Sequence, residues 1–321
     1  MCETPAERGW RRTKTGDHMA ETTGKRAGVI GLGAMGFGMA SSLARAGFEV
    51  AGYDPAPAAL DRAREAGIAP KASPEEVFAA ADVIVLSLPA AAHVEGVIAA
   101  AQGAGLLGAE AGAKVIIDTS TSEAEVSRKL AAALAEEGHG FLDAPVSGGP
   151  SGAASGQLSV MLGGDEKWVG AAMPALEAMA AKILHVGPSG AGNVAKLVNN
   201  MLVASHMITT LEALRLAEAA GVGAADALRV INSATGRSAL SEIHFPNWVL
   251  PRSFDSGFST GLMRKDVRLA RELAQSVGCA MPVADLVADL WAEENSGLKD
   301  GDDFMHMGDP AVDRLSHKEK M

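Results

Sequence analysis

One junction constrains this chain more than any other. Residues 26–32 read as a short buried strand, its end overlaps Gly31-Leu32-Gly33-Ala34-Met35-Gly36, and an apolar helix follows from about Met35 to Ala46, with Gly47 at its C-cap. Gly31 permits the tight turn, Gly33 lets a ligand approach the backbone, and Gly36 lets the helix pack closely on the strand. A helix start of this kind offers unpaired N–H groups and a favourable dipole to an anion. The pattern alone is weak in a chain with 37 glycines. Its place between a strand and a helix makes it a candidate dinucleotide turn, with an ordinary glycine turn of an unrelated α/β protein as the plain alternative.

The rest of the first half keeps the same alternation. Residues 48–54, 83–88, 114–118, 141–144, 159–162 and 183–186 read as strands, and helices are expected at 60–66, 122–137 and 165–181. Such spacing predicts a largely parallel, doubly wound sheet. After Gly190 the period changes. Gly192 and Gly221 bracket a proline-free run expected to form one helix of about 45 Å, apolar on most sides. Its Asn199, Asn200, Ser205, His206, Thr209, Thr210 and Glu212 argue against a membrane span. Further helices are expected at 224–232, 266–277 and 283–294. The fold class is thus α/β, with an N-terminal doubly wound sheet followed by an all-helical C-terminal domain. The expected boundaries are a flexible leader at 1–24, a nucleotide domain at 25–189, a helical substrate and dimerisation domain at 190–300, and a polar tail at 301–321.

Composition narrows the function classes. Lys and Arg number 28 against 39 Asp and Glu, a net charge of −11, which disfavours a nucleic-acid surface. Two cysteines, Cys2 and Cys279, form neither a disulfide framework nor a metal site. The first 25 residues lack the apolar core of a signal peptide, and Met19 is an alternative start, so the expected compartment is the cytoplasm. The expected partners are a small molecule and further copies of the chain, with no nucleic acid, membrane or metal.

Asp54 ends the second strand, 23 residues after Gly31. A carboxylate there accepts ribose hydroxyls and repels an added phosphate, and residues 55–58 supply no arginine to hold one, so NAD is expected rather than NADP. Leu88-Pro89 and residues 118–121 end neighbouring strands and fall where a cofactor crevice opens; each also reads as a simple turn.

A second constellation follows. Residues 143–153 leave a strand and enter a glycine-rich turn, where Ser147, Gly148 and Gly149 can present a hydroxyl and successive N–H groups to a carboxylate. Asn193, Lys196 and Asn200 share one face of the long helix. A lysine in so apolar a stretch either snorkels to solvent or lines a polar cleft, where burial would suit it to proton transfer near neutrality. Arg237 lies in a loop over the cleft, a candidate substrate contact or a surface ion pair. Glu212 and Arg215 read as a pair, His206 as packing, His93 as a distant candidate and Cys279 as a small core residue.

These motifs together resemble the β-hydroxyacid dehydrogenase family, and within it the 3-hydroxyisobutyrate dehydrogenases. The resemblance rests on Gly31–Gly36, on residues 143–149, on residues 190–196 with Asn200, and on Lys265-Asp266, and it covers roughly residues 26–300. It implies a Rossmann-type domain, a helical domain and a homodimer or homotetramer. It implies Lys196 as the catalytic residue, Asn200 as a substrate ligand, Ser147, Gly148 and Gly149 around the substrate carboxylate, and Thr121, Lys265, Leu88 and Pro89 near the cofactor. The expected reaction is NAD-dependent oxidation of a small β-hydroxy acid such as 3-hydroxyisobutyrate to its semialdehyde. L-threonate, glycerate, tartronate semialdehyde or another larger acid compete, and an imine reductase or a non-catalytic NAD-binding protein are the other classes. Ala239 stands where these relatives carry a bulky tryptophan, which implies a wider substrate wall.

Overall fold

A computed structural model of the chain describes residues 25–309. The N-terminal half runs β1 (Arg26–Ile30), α1 (Ala34–Arg45), β2 (Glu49–Tyr53), α2 (Pro57–Glu65), β3 (Ala69–Pro70), α3 (Pro74–Ala80), β4 (Val83–Leu86), α4 (Ala91–Gly103), β5 (Val115–Asp118), α5 (Ala124–Glu136), β6 (Gly140–Asp143), β7 (Val146–Ser147), α6 (Gly149–Ser155), β8 (Leu158–Gly163), α7 (Glu166–Met179) and β9 (Ala180–Gly187). Strand order is β3-β2-β1-β4-β5-β6-β8-β7, with β9 on the free side of β8. The first six strands are mutually parallel; β8 runs antiparallel to β6 and β7, and β9 parallel to β8. The central strands are buried on both faces, one packed around Val29, Leu142 and Leu162, the other around Ile84, Ile116 and Phe78. Continuous Val/Ile runs are what such strands require.

The C-terminal half is helical: α8 (Ala191–Ala219), α9 (Ala224–Ser233), a π-helix (Leu240–Val249), α10 (Thr260–Ser276), α11 (Pro282–Trp291), α12 (Glu293–Ser296) and a 3-10 turn (Phe304–Gly308). Its core gathers Leu211, Phe245, Met263, Trp291 and Phe304 around α8. α10 begins six residues earlier than its sequence pattern suggests, because the Ser259 hydroxyl accepts the Leu262 N–H and caps it.

Two expectations are corrected. The segment from 301 is no loose tail up to residue 309: Phe304, Met305 and Met307 are buried in the helical core, and Asp309 pairs with Arg252 at 2.9 Å. The remainder of the expected tail, and the expected leader at 1–24, lie outside the described residues. Cys279 is exposed beyond the end of α10, just after Gly278 at φ +66°. Among the described residues no helix is long and apolar enough to cross a membrane.

Candidate active site

The site has two halves, one at the carboxyl ends of the parallel strands and one on α8. In the first, Gly31 takes φ +91°, and a Cβ there would lie 2.2 Å from the Ser87 carbonyl oxygen. A Cβ on Gly36 would lie 1.8 Å from the Gly31 oxygen. Over Gly33, by contrast, a Cβ would meet nothing within 4 Å. Gly33 caps α1 without a side chain, and no acidic residue occupies the first turn. Free N–H groups and the positive end of the helix dipole thus face open space, which fits a dinucleotide pyrophosphate.

Asp54 turns its carboxylate back on this loop. Oδ2 accepts the Leu32 N–H at 2.8 Å and Oδ1 the Ala56 N–H at 2.9 Å. A carboxylate has about four acceptor positions, so two remain for hydroxyls. Further along the strand ends, the Ser120 hydroxyl accepts the Leu88 N–H at 3.0 Å. The Lys265 ammonium reaches across from α10 to the Thr121 carbonyl at 2.7 Å and the Pro89 carbonyl at 3.4 Å. Thr121, Pro89 and Lys265 are therefore neighbours, and Lys265 latches the helical half onto the strand-end loops.

In the second half, Lys196 and Asn200 are buried one turn apart on α8. Asn200 Nδ2 donates to Asp266 Oδ2 at 2.5 Å, and the Lys265 ammonium lies 3.4 Å from Asp266 Oδ1. That Oδ1 is buried with no hydrogen-bond partner. Burial lowers the Lys196 pKa from the usual lysine range; the Asp266 charge opposes this and the Lys265 charge assists it. Burial raises the Asp266 carboxyl, while both lysines and the Asn200 hydrogen bond pull it down. A lysine whose pKa burial lowers gives up and takes a proton more readily than one in water.

The turn carrying Ser147, Gly148 and Gly149 links β7 to α6, with Gly148 at φ +126° and Gly149 at φ +62°. The helical half closes on it: a Cβ on Gly257 would lie 3.2 Å from Pro150. The adjoining Phe258 meets Phe304 edge-on at 5.4 Å.

Other candidates fall elsewhere. Arg237 is exposed and pairs with Glu242 at 3.5 Å. Ala239 is exposed at the start of the π-helix, its carbonyl 3.3 Å from His244 Nδ1. Within one copy of the chain both are exposed, Arg237 on the turn that follows α9 and Ala239 just before the π-helix. Asn193 shares the Lys196 face of α8, but its side chain is consumed: Oδ1 accepts the Ser122 N–H at 3.1 Å and Nδ2 donates to Ser127 Oγ at 3.0 Å. His93 is exposed on α4. Among the described residues no group of three His, Cys, Asp or Glu is placed to hold a metal.

Three residues that the sequence pattern does not mark as site residues join this arrangement: Asp266 beside Lys196, Arg62 on the glycine loop, and Asp143 under the first turn of α8. Asp266 carried a signal as the neighbour of Lys265, and Asp143 as the first residue of the 143–149 motif; Arg62 carried none.

Residues 26–187 match the model of the NAD binding domain of 6-phosphogluconate dehydrogenase, and residues 190–310 that of the NAD-binding domain of NADP-dependent 3-hydroxyisobutyrate dehydrogenase. The chain belongs to the β-hydroxyacid dehydrogenase family. It is 38% identical over 273 residues to the NAD-dependent L-serine dehydrogenase of Pseudomonas aeruginosa, a match covering 83% of this chain and 91% of that protein. It is 40% identical over 274 residues to a probable 3-hydroxyisobutyrate dehydrogenase of Mycobacterium bovis, covering 82% and 90%. The solved structure of Mycobacterium tuberculosis 3-hydroxyisobutyrate dehydrogenase with L-serine superposes with a TM-score of 0.81 at 36% identity, covering 89% of this chain and 98% of that one. As a member of this family the protein is an NAD-binding oxidoreductase acting on CH–OH groups.

Proposed function

We propose that this β-hydroxyacid dehydrogenase oxidises the terminal hydroxyl of a small β-hydroxy acid, with 3-hydroxyisobutyrate as first choice and Lys196 as the proton acceptor. The observation that carries the reading is the buried Lys196, lowered in pKa and set beside the Asn200–Asp266 pair. Ser147, Gly148 and Gly149 hold the substrate carboxylate through a hydroxyl and backbone N–H groups. The carbinol oxygen lies between Lys196 and Asn200; Asn200 orients it and Lys196 takes its proton. Bound NAD supplies the hydride-accepting carbon. Gly31 to Gly36 cradle its pyrophosphate, Asp54 takes ribose hydroxyls, and Leu88, Pro89, Thr121 and Lys265 line its nicotinamide side. In the reverse direction protonated Lys196 polarises the carbonyl and returns the proton.

L-Serine is the second reading. It shares the carboxylate, intervening carbon and carbinol, with an ammonium in place of the methyl; one relative is named an L-serine dehydrogenase, and the solved Mycobacterium tuberculosis structure is of the enzyme with L-serine. The methyl that separates 3-hydroxyisobutyrate from 3-hydroxypropionate discriminates by only about 1–3 kcal/mol in an apolar pocket, whereas the serine ammonium needs a polar partner there. Arg237 and Ala239 enter only as a wall completed in an assembled enzyme. A side-by-side NAD-reduction screen of 3-hydroxyisobutyrate, L-serine, 3-hydroxypropionate, glycerate and L-threonate tests the reading. The highest kcat/KM on 3-hydroxyisobutyrate is expected; activity on threonate or glycerate alone rejects the first choice.

The reading includes a homodimer or homotetramer in the cytoplasm. Val198, Leu202 and Leu216 lie on one stripe of α8 and are 55%, 53% and 72% exposed in the single chain. Such a stripe on a long central helix suits burial against another copy. Light scattering at micromolar concentration is expected to give a multiple of 32.8 kDa; a stable monomer contradicts it.

A further inference from the structure

α8 begins without a cap of its own, since Gly190 at its N-cap has φ +88° and no side chain. The missing acceptors come from Asp143, 47 residues earlier, at the end of β6. Its Oδ1 accepts the Gly190 N–H at 2.7 Å and its Oδ2 the Asn193 N–H at 2.9 Å. The carboxylate is fully buried. An ionised side chain under a helix N-terminus is favoured by the helix dipole, and each of its oxygens is occupied by an N–H.

The contact allows little sliding. A Cβ on Gly192 would lie 2.4 Å from the Asp143 carbonyl oxygen, and one on Gly163 would lie 2.5 Å from Asp143 Oδ1. The first turn of α8 is thus pressed against the ends of β6 and β8. On the far side the same turn is tied to the start of α5 through Asn193 and Ser127.

Two short paths leave this joint. Along the chain from β6 into β7, Ser147 follows Asp143 by four positions. Along the helix, one turn leads from Asn193 to Lys196. The groups that hold the substrate carboxylate and that take its proton are therefore both measured from one carboxylate.

We propose that Asp143 is a positioning residue for the reaction: it fixes the separation between Lys196 and the Ser147–Gly149 turn. The proposal rests on the roles given to those residues above. A substrate held by its carboxylate at one end is aligned for proton removal at the other only if that separation is kept, and a misplacement of about 1 Å costs on the order of 100-fold in rate. A cap that served stability alone would not distinguish turnover from binding.

The test is Asp143→Asn in the full-length protein. Asparagine keeps one acceptor oxygen but turns an NH2 toward an N–H donor, so the first turn of α8 must shift. Circular dichroism, NADH affinity by fluorescence titration, and kcat and KM are measured with the hydroxy acid that the wild type oxidises best. The expected result is a folded variant with kcat reduced by roughly 10- to 100-fold, and KM and NADH Kd within about twofold of wild type. A folded variant with wild-type kcat overturns the proposal. So does one in which kcat, KM and NADH Kd worsen together, as general loosening would produce. If Asp143→Asn does not fold, Asp143→Ser, which still accepts one N–H, is judged by the same criteria; loss of folding in both assigns Asp143 to stability and overturns the proposal. Failure of the underlying reading looks different: Lys196→Ala would then turn over like wild type, whatever Asp143 does.

Discussion

Arg62 donates from Nη2 to the Leu32 carbonyl at 2.6 Å, gripping from the other side the residue whose N–H is held by Asp54. The guanidinium also sits over the Phe37 ring, 4.4 Å from its centroid. Asp54 holds the glycine loop in shape, a second task beside the ribose contact proposed for it. Asp54→Ala is expected to narrow the preference for NAD over NADP while weakening both cofactors. Arg62→Ala is expected to weaken NAD roughly fivefold, taking about 1 kcal/mol for an exposed charged hydrogen bond. Titrations of the two variants with both cofactors check this; an Asp54→Ala enzyme with unchanged NAD affinity contradicts it.

The pH dependence of oxidation follows from the charges around Lys196. With the neutral Lys196 amine as the proposed proton acceptor, kcat/KM should rise with pH through the Lys196 ionisation, below the ordinary lysine value. Asp266→Asn removes a charge that favours the ammonium, so the rise should move to lower pH. Lys265→Met removes a repelling charge and should move it to higher pH. Shifts in the same direction for both variants would show that another group controls the profile.

Asp118 gives a stability prediction. Burial raises its carboxyl from 3.8 to about 7, with the Asp143 charge adding to the rise and hydrogen bonds from Ser120 opposing it. A carboxyl raised on folding binds its proton more tightly in the folded state. Its stabilising contribution is complete below about pH 3.8 and is lost as pH rises toward 7. Asp118→Asn keeps an acceptor for Ser120 and cannot ionise. Its Tm relative to wild type should therefore improve between pH 5 and pH 8. An unchanged difference across that range counts against the burial argument.

Phe304 is 3% exposed and packs against Phe258 and Trp291. Phe304→Ala should cost about 3–5 kcal/mol in unfolding free energy, as large-to-small core changes do. Denaturant unfolding measures it. A loss near zero would mean that residues 304–308 do not belong to the core.

Much of this molecule is legible in its amino-acid order. β1, its glycine turn and α1 follow from an apolar run meeting three spaced glycines, and α8 from the proline-free stretch read between Gly192 and Gly221, with Gly192 falling inside its first turn. Lys196 and Asn200 are legible because a 3.6-residue period puts them on one face. What periodicity does not carry is contact across long separations. Asp143 under α8 is 47 residues from Gly190, and Arg62 is 30 from Leu32. Arg62 is an ordinary charged residue in sequence, and Asp143, though it opens the 143–149 motif, shows nothing there of its contact with α8. The π-helix at Leu240–Val249 does not follow the 3.6-residue period and contains Pro246, so periodicity does not mark it. Phe304, Met305 and Met307 are masked by the aspartates and glycines around them.

The central claim is that Lys196 moves the substrate proton. The most direct measurement is kcat of Lys196→Ala with the preferred hydroxy acid at saturating NAD, alongside its NADH affinity and circular dichroism. The expected result is a folded protein with wild-type NADH affinity and a kcat about 10²–10⁴-fold lower. A folded Lys196→Ala enzyme that turns over within a few-fold of wild type would contradict it.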